Sequence, residues 1–201
     1  MKSGVSILVF CVAMRASSLL AQTLPDFARQ QGGSARRMIG LDGPIARPAE
    51  LMSKSDLVIH GRVVDVTRRL TADQVDVVTD YTVVPIQSFK ERRAAAVARP
   101  GAVANVVVRQ YGGSMVTADG LRLSTSVDVF PESESFKVGE EIIVFLTDRP
   151  EVGLYRFTDG EFGAYRIRDG LVSPMTEVVA ARLQVQPVKA SLFFADLQRL
   201  R

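Results

Sequence analysis

The sequence predicts a small, mostly antiparallel β domain that ends in an α-helix. Runs of β-branched residues recur at short spacing, and Asp-Gly pairs fall between them. The principal strand is predicted over Leu57–Val66, where Ile59, Gly61 and Val63 share one face. A glycine in the middle of a strand is typical of a bend or a close backbone approach. Such features occur where a sheet coils into a barrel.

Residues 1–21 have the order of a secretory signal peptide. Lys2 precedes an apolar run from Val5 to Met14, and the sequence Arg-Ala-Ser-Ser-Leu-Leu-Ala follows it up to Ala21. The run is shorter than the roughly 20 apolar residues that a membrane span needs, and no later segment is apolar enough. We expect export to the periplasm or the extracellular space, with cleavage after Ala21. An uncleaved anchor is the alternative.

Loss of this signal changes what the composition implies. Cys11 is the single cysteine, so the mature chain has neither a disulfide nor a thiolate nucleophile. With 23 of the 25 basic residues and all 22 acidic residues retained, the mature chain carries a formal charge of +1. A nearly neutral chain lacks the field typical of nucleic-acid or anionic-membrane binding. We therefore expect a protein or glycan partner, and no nucleic acid.

Two regions follow the signal. Residues 22–47 are rich in glycine, proline and arginine without a sustained period, which favours a flexible lead; direct contact with a partner is the alternative. A single domain is expected over residues 48–201, opening with a helical turn at Pro48. After the principal strand, further strands are predicted at Val75–Phe89, Val103–Tyr111, Leu121–Val129 and Glu140–Leu146.

The connections and the C-terminus complete this prediction. Glu91–Arg99 favours a short helix or long loop. Downstream of the principal strand, Asp-Gly pairs begin at Asp119, Asp159 and Asp169, and each predicts a two-residue hairpin turn, because a type I′ turn needs positive φ. A helix is predicted over Ala190–Leu200, with Phe193, Leu197 and Leu200 on its apolar stripe. We expect it to cap an open end of the barrel; a partner-binding amphipathic helix is the alternative.

Three segments share the order of a known family. They are SDLVIHGRVVDV at residues 55–66, DYTVVPIQSFK at 80–90 and FKVGEEIIVFL at 136–146. This order resembles the N-terminal domain of the tissue inhibitors of metalloproteinases and the related netrin-like modules, and is most similar to cysteine-free bacterial exported proteins of unknown role. The resemblance implies a five-stranded, partly open Greek-key barrel of the OB type. It does not carry over inhibition, since those inhibitors bind their target's zinc through an N-terminal cysteine.

The sequence contains no recognisable catalytic or metal-binding constellation. His60 is the single histidine, and no G-x-S-x-G motif accompanies it. A zinc site takes several His or Cys ligands, so His60 is expected to be an exposed or hydrogen-bonded strand residue. Glu140 and Glu141 would point to opposite faces of a strand and could not cooperate in acid–base chemistry. We expect no catalytic residue, no metal and no cofactor.

Arg109, Tyr111 and Tyr81 are the candidate binding residues. Aromatic rings on OB-type sheets stack against the bases of nucleic acids, and these three residues could form such a platform. Core packing of the rings is the favoured alternative. The leading hypothesis is an exported, non-enzymatic binding module. The alternatives are a hydrolase inhibitor that uses the lead or the Gly112–Gly120 loop as a wedge, and an enzyme whose site assembles only on folding.

Overall fold

The computed structural model describes residues 22–39, 46–91, 105–127, 135–150 and 153–201. Strands make up 49% and helices 23% of them, which confirms the prediction of a mostly β fold. The strands are β1 (Ser34–Ile39), β2 (Leu57–Leu70), β3 (Val77–Glu91), β4 (Val106–Tyr111), β5 (Gly113–Val116), β6 (Arg122–Val127), β7 (Glu141–Arg149), β8 (Leu154–Phe157), β9 (Ala164–Arg168), β10 (Leu171–Pro174) and β11 (Val188–Lys189).

The helices are α1 (Leu24–Gln30), α2 (Pro48–Lys54), α3 (Glu177–Leu183) and α4 (Ala190–Arg199), with a 3-10 turn at Gly160–Gly163. The predicted signal peptide lies outside the described residues. So does the helix predicted at Glu91–Arg99, apart from its first residue, which ends β3.

The strands form two sheets. The larger one has eight strands in the order β11-β10-β9-β7-β2-β3-β4-β8. It is mixed, because β8 runs parallel to β4 while the remaining pairings are antiparallel. β8 also pairs with β7, so the pairings form a circuit from β7 through β2, β3, β4 and β8 back to β7. The smaller sheet has the order β1-β6-β5, with β1 parallel to β6.

One hydrophobic core is built from all five strands of this circuit. Its strand residues are Leu57, Ile59, Val63, Tyr81, Val83, Val106, Val108, Ile142, Val144, Leu146 and Phe157. They alternate along their strands with residues that point the other way, as the period of two requires. Burial of their apolar surface supplies the main stabilisation of this half of the fold, at roughly 25 cal/mol per Å².

Gly61 has the close backbone contact that its position in mid-strand predicts. The β2–β3 register shifts at three places, one of them between His60 and Gly61, and such bulges bend a strand. A Cβ atom at residue 61 would lie 2.5 Å from Val83 Cγ1 and 2.8 Å from the carbonyl oxygen of Val84. The prediction of a close approach is confirmed, and a side chain at this position would push β3 away from β2.

One edge of β7 is shared by two strands. Residues 141–144 of β7 pair with β9, and residues 146–149 pair with β8. At the junction, the Thr158 N–H donates to the Phe145 carbonyl oxygen at 2.8 Å. Gly163 lies against this junction, where a Cβ atom would overlap the Thr158 carbonyl oxygen and lie 3.0 Å from that of Phe145. The change of partner along β7 therefore requires glycine at residue 163.

The Asp-Gly pairs have two different outcomes. Asp169-Gly170 joins β9 to β10 as a hairpin with φ values of 52° and 73°, which confirms that prediction. Asp119-Gly120 lies in the hairpin connection of β5 and β6. There only Gly120 has positive φ, 84°, so the hairpin is confirmed but the two-residue type I′ turn is not. Asp159-Gly160 also has positive φ, 51° and 63°. The hairpin predicted there is wrong, because β8 and β9 each pair with β7 instead of with each other. Asp159-Gly160 and Asp169-Gly170 have similar φ values. The available partner strand therefore decides whether the flanking strands pair with each other.

Residues 22–39 differ from the expected flexible lead. They form α1 and β1, and Leu24, Ala28 and Ala35 pack with Leu121 and Leu123 in a separate small core. Leu24 and Ala28 are four residues apart and so share one helix face. A helix of two turns followed by a short strand is too brief to produce a sustained period in the sequence, which explains the difference.

The opposite face of β2 and β7 is covered by helices. Val58, Ile143 and Phe145 pack there with residues of α2, α3 and α4. α4 occupies the predicted position. The ring of Phe194 packs in tilted arrangements on His60 and Phe89, with ring centres 5.1 and 5.4 Å apart. It therefore lies on a sheet face, not over the end of the β2-β3-β4-β8-β7 circuit as expected. Within its predicted stripe Leu197 is fully buried, whereas Leu200 is exposed.

The Tyr165 hydroxyl gives a first test of this packing. It is buried without a hydrogen-bond partner in the described part of the chain, while its ring packs on Phe145 and Phe193. Because an unsatisfied buried hydroxyl is unfavourable, we expect Tyr165→Phe to maintain or raise the free energy of unfolding, by up to about 1 kcal/mol. The measurement is urea denaturation.

Tyr81→Phe is the matched control for this prediction. The Tyr81 hydroxyl donates to Gln110 Oε1 at 2.8 Å, so its removal should lower the free energy of unfolding by about 1 kcal/mol. Equal losses in the two variants would contradict the packing described for Tyr165.

Candidate binding surface

Arg109 and Tyr111 lie on one solvent-facing side of β4. They are two positions apart, so their side chains leave the same face. β3 places Asp80 opposite Arg109, and β8 places Arg156 beside it. With Arg69 of β2, these residues form what we call the arginine–tyrosine face: Arg69, Asp80, Arg109, Tyr111 and Arg156.

Asp80 is the centre of an ion-pair cluster on this face. Arg109 donates to it in a bidentate manner, from Nε to Oδ1 at 2.7 Å and from Nη2 to Oδ2 at 2.8 Å. Arg69 Nη2 lies 2.7 Å from Oδ2. Burial raises the pKa of the Asp80 carboxyl, and the charge of Arg69 opposes that rise. One carboxylate thus holds two guanidinium groups against the sheet.

Arg156 and Tyr111 form a second pair at the edge of the cluster. The Arg156 guanidinium carbon lies 5.0 Å from the centre of the Tyr111 ring, and its Nη2 donates to the Tyr111 hydroxyl at 3.2 Å. Tyr111 is 37% exposed. A cation–π contact at an exposed site is worth about 0.5–1 kcal/mol, so the pair is ordered and yet accessible to a partner.

Tyr81 does not belong to this surface. Its side chain is fully buried, and its ring contacts Phe136 and Phe157 edge-on or tilted within the core. Burial also raises the pKa of its hydroxyl. Tyr81 is therefore not a surface binding residue as predicted. It packs in the core, which was the alternative. Because the Tyr81 ring is buried and Arg156 lies over the Tyr111 ring, these two rings do not form the predicted stacking platform.

The face has an excess of positive charge. The face contains three guanidinium groups and the single carboxylate of Asp80, which pairs with Arg69 and Arg109 while Arg156 lies over Tyr111. Arg69 is half exposed. Arginine forks match the geometry of carboxylates. Since Asp80 already occupies much of the hydrogen-bonding capacity of Arg109, the groups presented to solvent are Arg69, Arg156 and the Tyr111 ring.

The titratable residues that were considered as catalytic candidates belong to separate ion pairs. His60 is buried, and its Nε2 lies 3.2 Å from Glu141 Oε2, which matches the expectation of a hydrogen-bonded strand residue. Arg62 donates to Glu141 at 2.7 Å and lowers the pKa of that carboxyl. Glu140 instead accepts from Arg168 at 2.8 Å. The two glutamates therefore have different partners, as their opposite faces predict.

The described residues contain no group of three or more His, Cys, Asp or Glu side chains placed to hold a metal ion. Within the same residues, no helix has the length and apolar character needed to cross a membrane. The chain matches no known family model and no curated protein sequence.

Three residues of the arginine–tyrosine face were not predicted from the sequence: Arg69, Asp80 and Arg156. Asp80 and Arg109 are 29 residues apart, and Arg156 is a further 47 residues along. Their association depends on strand register and on the parallel β4–β8 pairing. The signal available in the sequence was the alternation of β3, which places Asp80 on the face opposite Tyr81.

Proposed function

We propose that this protein is an exported, non-enzymatic binding module on an OB-type barrel, and that its arginine–tyrosine face binds an acidic segment of a protein partner. The observation that carries the proposal is the exposed Arg156–Tyr111 pair beside two arginines that share one carboxylate. Aromatic residues and arginines are the side chains that contribute most often to protein interfaces.

Three observations support the OB-type barrel. Five strands pair in a circuit, all five contribute to one core, and the order of three sequence segments resembles the netrin-like modules. In barrels of this type, the outer face of the second and third strands and the adjoining loops bind ligands. β3 and β4 would be those strands here, and they carry Asp80, Arg109 and Tyr111.

The chemistry of the face favours an acidic protein over a nucleic acid. Binding of single strands relies on successive bases stacking on aromatic rings in a positively charged groove, and Arg156 already covers the one exposed ring of this face. Two partly exposed guanidinium groups suit carboxylates instead. The formal charge of +1 predicted for the mature chain gives no general attraction for polyanions, so recognition would be local.

Fluorescence anisotropy with a labelled hexaglutamate peptide tests this proposal. We expect saturable binding at low salt that weakens as ionic strength rises, since exposed charges are screened. Arg156→Gln and Tyr111→Leu should each weaken binding by about fivefold or more, the loss expected for one charge-assisted contact.

Arg182→Gln is the matched control, because Arg182 is exposed on α3, outside the arginine–tyrosine face. It should leave the affinity unchanged, and a hexaglutamine peptide should not bind. Equal weakening by Arg182→Gln, or equal binding of hexaglutamine, would contradict the proposal. Tighter binding of an oligothymidine than of hexaglutamate would show a nucleic-acid surface instead.

A further inference from the structure

The three-stranded sheet carries a second surface that goes beyond the function proposed above. One side of this sheet packs on α1 through Ala35 and Leu123. The other side forms an open trough of about 570 Å³. We call it the serine–arginine trough, and its outward-pointing residues are Ser34, Arg36, Ser114, Val116, Arg122 and Ser124.

Strand register sets the two arginines diagonally across the trough. Arg36 of β1 lies opposite Ser124 of β6, and Arg122 of β6 lies opposite Ser34 of β1. Their Cα atoms are therefore about 8 Å apart, given the strand spacing and the rise over two residues. Two arginine side chains from such positions can reach the same group, and each has a serine hydroxyl directly across the strand.

The charges of these two arginines are not neutralised by carboxylates of the described chain. Arg36 donates from Nε to the Ser126 hydroxyl at 3.1 Å, and within the described residues Arg122 has no side-chain partner. Elsewhere in the described chain Arg29, Arg62 and Arg168 each pair with a carboxylate. The trough lining contains no Asp or Glu. It therefore presents two positive charges together with serine hydroxyl donors.

We propose that the serine–arginine trough binds a small soluble molecule that carries a phosphate group. A phosphate monoester has a charge of about −1.5 to −2 at pH 7 and three strong acceptor oxygens, which two guanidinium groups and the Ser34 and Ser124 hydroxyls complement. Arginine forks bind phosphate in a bidentate manner. A volume of about 570 Å³ lies in the range of small-molecule sites.

The small size of the trough and its two positive charges suit a small soluble ligand better than a membrane surface. Segments that bind anionic lipid surfaces present clusters of about four to eight lysines and arginines, and the trough contains two arginines and no lysine. A soluble phosphorylated molecule of roughly sugar-phosphate size fits within the trough without requiring further basic residues.

Isothermal titration calorimetry of the full chain with glycerol 3-phosphate, and separately with inorganic phosphate, tests this inference. We expect saturable binding of both by the wild-type protein. Arg36→Gln and Arg122→Gln should each weaken it at least about tenfold, the loss expected when a hydrogen-bonded charge is removed. Arg182→Gln, the exposed control on α3, should have no effect. Circular dichroism melting checks that each variant is folded.

Several outcomes would overturn the inference. The first is that neither phosphate compound binds, and the second is that the wild type and both trough variants bind phosphate with equal affinity. The third is that glutarate binds as tightly as glycerol 3-phosphate, which would show a general dianion site. Binding confined to phosphatidylglycerol vesicles would show a membrane-docking surface instead. Arg156→Gln and Tyr111→Leu should leave phosphate binding intact, so this result and the hexaglutamate result are independent.

Discussion

Gly163→Ala is expected to lower the free energy of unfolding by about 3 kcal/mol, the upper end of the range for overpacking a close contact. The added methyl group would overlap the Thr158 carbonyl oxygen and press on that of Phe145. Both are backbone atoms at the point where β7 changes partner from β9 to β8, so rotation of a side chain cannot relieve the overlap. Urea denaturation of the variant and the wild type measures the loss.

Gly120→Ala separates this steric effect from a general cost of replacing glycine. Gly120 has a φ of 84° and nothing within 4 Å of the site of a Cβ atom, so its replacement costs only the conformational strain of about 1–2 kcal/mol. A loss at Gly163 no larger than that at Gly120 would show that the β7 junction is looser than described.

Asp80→Asn should have the second largest effect on stability, a loss of about 2 kcal/mol. It leaves Arg109, whose side chain is 18% exposed, without its bidentate carboxylate. Removal of one partner of a buried ion pair costs about 3–5 kcal/mol, and partial exposure of both arginines reduces this figure. The same change removes the one negative charge of the arginine–tyrosine face, so hexaglutamate should bind more tightly to the folded variant.

Asp196→Asn provides the control for a surface ion pair. Asp196 and Arg199 lie 3.3 Å apart on α4, and both side chains are more than 60% exposed, so the expected loss is below about 0.5 kcal/mol. If Asp80→Asn is as mild as Asp196→Asn, Asp80 does not hold the arginines in place. If it weakens hexaglutamate binding while the variant stays folded, the carboxylate contributes to recognition in another way.

The sequence predicts those parts of the fold that depend on local pattern. Over the described part of the predicted strand Leu121–Val129, alternation is confirmed by the burial of Leu121, Leu123 and Thr125. Gly61 has the expected close contact. The positive φ values of Asp159-Gly160 and Asp169-Gly170 are likewise local properties. The structure differs from the prediction where a strand pairs with a distant partner, as at Asp159, and where an element is short, as in α1 and β1.

The candidate surfaces could be predicted only in part, for the same physical reason. Arg109 and Tyr111 share a face because they are two residues apart on one strand, which the sequence shows directly. The contacts of Asp80 with Arg109 and of Arg156 with Tyr111 depend on register between strands that are distant in the chain. Arg36 lies beside β6 because β1 pairs in parallel with residues 88 positions further along the chain. No local sequence pattern predicts such a pairing.

The arginine–tyrosine face is tested most directly by mapping backbone amide chemical shifts of the isotope-labelled full chain during titration with hexaglutamate. We predict that the largest shifts lie on β3, β4 and β8, around Asp80, Arg109, Tyr111 and Arg156, and that they disappear in Arg156→Gln. Shifts centred on Arg36 and Arg122, shifts spread evenly over exposed basic residues, or no shifts at low salt would contradict it.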